Sequence, residues 1–245
     1  MKRCLSATRN RLLTPVLGSV SGVLTLDRAV ALTFDDGPHP IYTPRLLDVL
    51  AMHNAKATFF VLGSAAQKYP WLIARMHAEG HEIGNHSWDH PSLPTLSVRE
   101  QRDQIIRAHG VLAPYGARFF RPPFGHQRLV TTVIARALGY EIAHWTFHVE
   151  DWLDQGYKEL AARLLRGTKP GAIVLLHDRL EHWLTEKCAD RSSMVQAVET
   201  LLETSKEYEF VTLSALRCRG RTVKKLTCKE PDRVFLQRLN TGDPT

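Results

Sequence analysis

Leu32-Thr33-Phe34-Asp35-Asp36-Gly37-Pro38 ends an apolar run that begins at Ala29. Two adjacent carboxylates stop the run, and Gly37-Pro38 turns the backbone. A buried strand with acids at its exit is how sites are built on α/β scaffolds, where chemistry collects at the carboxyl ends of strands. Two neighbouring acids there can divide the labour, one ligating a metal and the other acting as a base. Taken alone, the stretch reads rather as an ordinary strand-to-helix turn, since most such motifs are punctuation.

The rest of the chain decides between these readings. After the acids, Thr43 and Pro44 read as the N-cap and first position of a helix. Ala57–Leu62 reads as a second core strand. Pro70–Ala78 is helical with Gly80 just past its end, and His81–Gly84 is a short third strand. Ser97 and Glu100 have the spacing of a capping box. Phe119–Arg121, Tyr140–Thr146, Ala172–His177 and Glu209–Leu213 read as further strands. Helices Leu129–Leu138, Tyr157–Leu165 and Ser192–Lys206 lie between them. Strands alternating with helices predict a parallel α/β sheet or barrel.

At 245 residues with 44% hydrophobic side chains, the chain has the size and composition of one large globular domain or two small ones. No apolar run reaches the roughly 18 residues that a membrane-spanning helix needs. Residues 1–20 read as an N-terminal extension. Lys2, Arg3, Arg9 and Arg11 precede a mildly apolar stretch, but no clear cleavage site follows, so the expectation is a cytoplasmic rather than exported chain. Four cysteines without paired spacing give neither a metal knuckle nor a disulfide framework.

The net charge is +7. Much of the excess lies near the end, from Arg217 to Arg238, so residues 218–245 read as a basic tail and residues 21–217 as the catalytic domain. The tail carries no aromatic stacking pattern, and no nucleic-acid partner is expected.

Four more groups stand at strand exits. His86-Ser87-Trp88-Asp89-His90 offers two imidazoles four apart, which on one side of a helical turn would grip a divalent cation with Asp36. Arg121-Pro122-Pro123-Phe124-Gly125 offers a stiffened loop. Its Phe124 N–H is placed as an oxyanion donor, and its Arg121 can pair with Asp35. Asp151-Trp152 and Leu175-Leu176-His177-Asp178 supply a carboxylate that can orient and protonate an imidazole. Trp152 and Leu175 can line a small apolar pocket. Such convergence on one end of an α/β chain points to an enzyme.

In these five motifs the chain resembles the polysaccharide deacetylases of carbohydrate esterase family 4, the NodB-homology group, from about residue 22 to residue 214. The resemblance implies a distorted, TIM-like (β/α) barrel of about seven strands. It implies Asp36, His86 and His90 as ligands of a divalent metal, most simply zinc, although this donor set also suits cobalt, nickel or iron. It further implies Asp35 as base, tethered by Arg121, and His177 as acid, tethered by Asp151. Phe124 would be the oxyanion donor, and Trp152 and Leu175 the acetyl pocket. The implied reaction is hydrolysis of an N-acetyl group on an amino-sugar glycan, with release of acetate. A deformylase or a small-molecule N-deacetylase is the alternative, and intact acids and histidines argue against a binding module that has lost catalysis. Two departures stand out: Phe124 where a Tyr is usual, and His148 where many members carry an Asp.

Overall fold

The computed structural model describes residues 13–116, 118–182 and 186–236. The charged start of the expected extension, residues 1–12, lies outside them.

Strand β2 (Ala29–Asp35) is buried along its whole length and shows how the barrel is organised. Successive side chains alternate between its faces. Val30, Leu32 and Phe34 face the layer of helices and join the largest apolar cluster. Ala29 and Ala31 face inward, into a second cluster with Phe60, Phe119, Ala143 and Ile173. The next two inward positions are Thr33 and Asp35. The interior therefore changes from apolar to polar along one strand, and the polar end is the carboxyl end.

The sheet runs β6-β5-β4-β3-β2-β8-β7, with β9 (Glu209–Phe210) also pairing β2. Its members are β3 (Ala57–Val61), β4 (Glu82–Asn85), β5 (Phe119–Phe120), β6 (Glu141–Ile142), β7 (Phe147–His148) and β8 (Ile173–His177). Every pairing among them is parallel. Helices alternate with the strands and cover the outer face, as right-handed crossovers require.

The strand expected at Tyr140–Thr146 is only Glu141–Ile142, and a second short strand, Phe147–His148, follows just beyond that range. The chain pairs with β5 at Glu141–Ile142, crosses the seam, and pairs with β8 at Phe147–His148. The result is a curved, open parallel sheet that resembles a distorted, partial barrel.

Other departures from the sequence reading are local. Helix α1 (Tyr42–Met52) begins after Ile41, without a side-chain cap. Thr43 lies inside it, where its hydroxyl accepts the His39 N–H at 2.7 Å and donates to Asp178. A helix at Gly63–Lys68 was not foreseen; Gly63 approaches Ala108 so closely that a Cβ would stand 2.7 Å from the Ala108 Cα. The last strand stops at Phe210, because Thr212 caps a helix over Leu213–Arg217. The helices Pro70–Ala78 and Val98–Leu112 match expectation, the second with the full Ser97–Glu100 capping box.

The two flanks of the barrel meet. β1 (Ser19–Leu24) pairs antiparallel with β10 (Arg221–Lys225), so the segment read as a basic tail contributes a strand. Two of its cations are paired, Lys224 with Glu141 at 2.6 Å and Arg219 with Glu209 at 2.5 Å; Arg217, just before it, also meets Glu141 at 2.7 Å. No described helix is long and apolar enough to cross a membrane.

Candidate active site

The five expected groups converge above the polar end of the barrel. His86 and His90 do not share a helical turn. They sit on a loop after β4, with Ser87 and His90 at φ 75° and 63°. Asp36 at φ 69° and Phe124 at φ 57° are also left-handed. Non-glycine residues rarely adopt this conformation, and such strain gathers where surrounding contacts enforce a functional geometry. Gly37 is required for a different reason: a Cβ there would lie 2.3 Å from the buried Asp178 carboxylate. Asp178 thereby braces the turn, and burial pushes its pKa up to about 7.

Asp36 Oδ1 lies 3.3 Å from His86 Nε2 and 3.2 Å from His90 Nε2. All three side chains are buried. His86 Nδ1 is 2.7 Å from the Arg121 carbonyl, which can only accept, so this nitrogen carries the proton and Nε2 keeps its lone pair. Burial pushes the His90 pKa down to about 3, leaving that ring neutral. Burial also opposes the Asp36 charge, but His90, His86 and the protonated His177 together outweigh it and hold that carboxyl well below the usual range. Three electron-rich atoms thus face one another, and Asp36 Oδ1 has no hydrogen-bond partner. A divalent cation relieves that arrangement. Ligand separations of about 3.3 Å are also what tetrahedral bonds of ~2.0–2.1 Å produce. The donor set fits a divalent metal ion, and the Glu181 N–H fixes Asp36 Oδ2 at 3.0 Å.

Asp35 stays outside this cluster, with Oδ2 3.8 Å from His86 Nε2. Arg121, wholly buried, donates to Asp35 Oδ1 at 2.7 Å and to Thr33 Oγ1 at 2.8 Å. It also donates to the Ala143 and His144 carbonyls at 3.1 and 3.0 Å. The guanidinium packs on the Phe60 ring at 3.9 Å. The expected Arg121–Asp35 tether is present, and the fork crosses the barrel to hold the seam segment as well.

His177 Nδ1 lies 3.0 Å from Asp151 Oδ1, and the His177 N–H donates to Asp151 Oδ2 at 2.9 Å. Burial lowers the imidazole pKa, but the Asp151 charge outweighs it and raises the value to about 9. The ring is therefore protonated at neutral pH. Trp152 stands perpendicular to His177 at 5.7 Å. Leu175, two positions before His177 on β8, shares its face and is buried. His148 is exposed and lies 5.1 Å from the Trp152 ring.

Arg191 was not anticipated. It is buried, pairs with Asp151, and donates to the Asp151 and His177 carbonyls at 2.7 and 3.1 Å. A single Arg ahead of a helix carries no spacing signal, so only the fold reveals its place. His182, which stacks near Phe124, was missed for the same reason.

Comparison with known proteins agrees with this geometry. The polysaccharide deacetylase family matches residues 23–143. Over 193 residues the chain is 39% identical to a peptidoglycan-N-acetylglucosamine deacetylase of Listeria monocytogenes, covering 78% of this chain and 39% of that protein. The chain thus spans well under half of that relative's length. It is 38% identical over 188 residues to a chitooligosaccharide deacetylase of Bradyrhizobium, covering 75% of this chain and 84% of that one. A peptidoglycan N-acetylglucosamine deacetylase solved with 4-naphthalen-1-yl-N-oxidanyl-benzamide superposes with a TM-score of 0.72 at 32% identity, over 84% of this chain and 94% of that one. With its motifs, barrel and relatives in agreement, this chain belongs to the polysaccharide deacetylase family, carbohydrate esterase family 4.

Proposed function

We propose that the protein is a metal-dependent hydrolase that removes the N-acetyl group from N-acetylglucosamine-type units of an oligosaccharide or glycoconjugate, releasing acetate. The observation that carries this reading is the division of the two acids: Asp36 faces both imidazoles, while Asp35 is clamped by Arg121 beside them.

Asp36, His86 and His90 would hold the ion, which supplies Lewis-acid polarisation and a lowered pKa for water. Asp35 accepts the proton of the attacking water, and Arg121 keeps its carboxylate aimed at the cleft. As charge develops on the acetamide oxygen, the Phe124 N–H donates to it; one such donor is typically worth about 3 kcal/mol. His177 gives its Nε2 proton to the departing amine, because its Nδ1 proton is held by Asp151. Leu175 and Trp152 enclose the acetyl methyl group.

The substrate reading draws on the relatives, which act on chitooligosaccharide and peptidoglycan. Mass spectrometry and acetate release on a panel of acetylated oligomers and peptidoglycan fragments test it. Loss of one acetyl mass per product with stoichiometric acetate is expected. Release of formate, or turnover of small-molecule amides alone, would exclude it.

A further inference from the structure

Residues 226–236 leave β10 and fold back across the Pro122–Gly125 loop. Lys229 exchanges two backbone hydrogen bonds with Gln127, at 2.8 and 3.0 Å, and its ammonium donates to the Phe124 carbonyl at 3.0 Å. Arg128 pairs with Glu230 at 2.9 Å. Anchored in this way, the segment sets the Phe235 ring 4.8 Å from Phe124 and 5.0 Å from His126. On Phe124 a second ring, His182, stacks at 6.0 Å with 17° between the planes. Phe124 itself lies 4.4 Å from the metal-site residue His90.

These rings form a continuous surface from the metal site towards solvent. His90 and His126 are buried, Phe124 and Phe235 are half-buried, and His182 is exposed. Phe124 and Phe235 belong to none of the apolar core clusters. Aromatic rings that stay partly exposed beside a catalytic centre suit a ligand with apolar C–H faces and no charge. A pyranose ring has this character.

We propose that residues 226–236 form one wall of the substrate cleft, and that Phe235, with His182, is a stacking platform for the sugar ring next to the one being deacetylated, an inference that rests on the amino-sugar reading above. Phe235 is a specificity-determining residue supplied from beyond the strands of the barrel, held in place by the Lys229 clamp.

The test compares wild type, Phe235→Ala, Phe235→Trp and His182→Ala in acetate release from the N-acetylglucosamine tetramer, with metal content and melting temperature measured in parallel. Loss of one stacking contact raises KM about three- to tenfold while kcat stays within about twofold. His182→Ala should move KM in the same direction, and Phe235→Trp should restore it. An unchanged KM in Phe235→Ala, with the wild type active on the tetramer, overturns the platform and leaves the deacetylase reading standing. A fall in kcat that tracks a loss of thermal stability overturns it as well, because the segment would then be purely structural. A wild type with no activity on any acetylated amino-sugar oligomer removes both.

Discussion

Asp35 and His177 are register partners at the carboxyl ends of the adjacent parallel strands β2 and β8. Parallel pairing delivers both side chains to the same face and the same height of the barrel. Each is then oriented by its own ion pair, Asp35 by Arg121 and His177 by Asp151, and the two pairs share no residue. Each side chain is thus held by its own partner although neighbouring strands carry them, and the Asp35 charge adds to the rise in the His177 pKa.

Asp35→Asn keeps an acceptor for Arg121 and leaves Asp36, His86 and His90 untouched. We expect metal content equal to wild type and kcat lower by about 10²–10⁴-fold. Elemental analysis alongside acetate release checks this; loss of metal in this variant would place Asp35 among the ligands.

His90→Ala removes one of three ligands, and the loss of bound ion is expected to be nearly complete. Titration of zinc into the chelator-treated protein measures it. Wild type should also gain thermal stability on adding the ion, because an ion that binds only the folded chain stabilises it, and His90→Ala should not.

His177→Ala should slow hydrolysis of an acetamide far more than that of an activated acetate ester, whose leaving group needs little protonation. Equal losses on both substrates would exclude His177 as the acid.

The His177 pKa, raised to about 9, fixes the sign of the pH dependence. In the proposed mechanism the protonated ring is the acid, so activity should fall as pH rises through about 9. Asp151→Asn removes the charge that sustains the shift and should move this limb to lower pH. Arg191→Met removes a competing cation beside the same carboxylate and should move it higher. The raised value also contributes stability that is complete below the unfolded histidine pKa of about 6.5 and lost as pH rises through about 9. Rate profiles and denaturant midpoints across this range report the two effects separately.

Arg121→Met should destabilise the fold as well as the site. It leaves the buried Asp35 without its partner, and breaking such a pair costs about 3–5 kcal/mol. The Ala143 and His144 carbonyls of the barrel seam lose their donors too. Urea midpoints measure the loss, and Arg121→Lys should recover only part of it, since an ammonium cannot span all four acceptors.

The sequence by itself determined the alternation of strands and helices and the five motifs at strand exits, among them the adjacent acids Asp35 and Asp36. These were legible because they rest on local chemistry: an apolar run ended by acids, a capping box at Ser97 and Glu100, glycines past helix ends. Only the tertiary structure decided what depends on segments far apart in the chain. The His86–His90 pair is held by a strained loop and not a helical turn, because the Arg121 carbonyl and the neighbouring strands set its geometry. The strand expected at Tyr140–Thr146 shortens to Glu141–Ile142, and Phe147–His148 forms another, because this stretch of chain pairs with β5 on one side of the sheet and β8 on the other. Arg191 and Phe235 reach the site from segments without any motif. Spacing along a chain records contacts within a turn or a strand; contacts made by barrel closure leave no periodicity in the sequence, so the fold alone can show them.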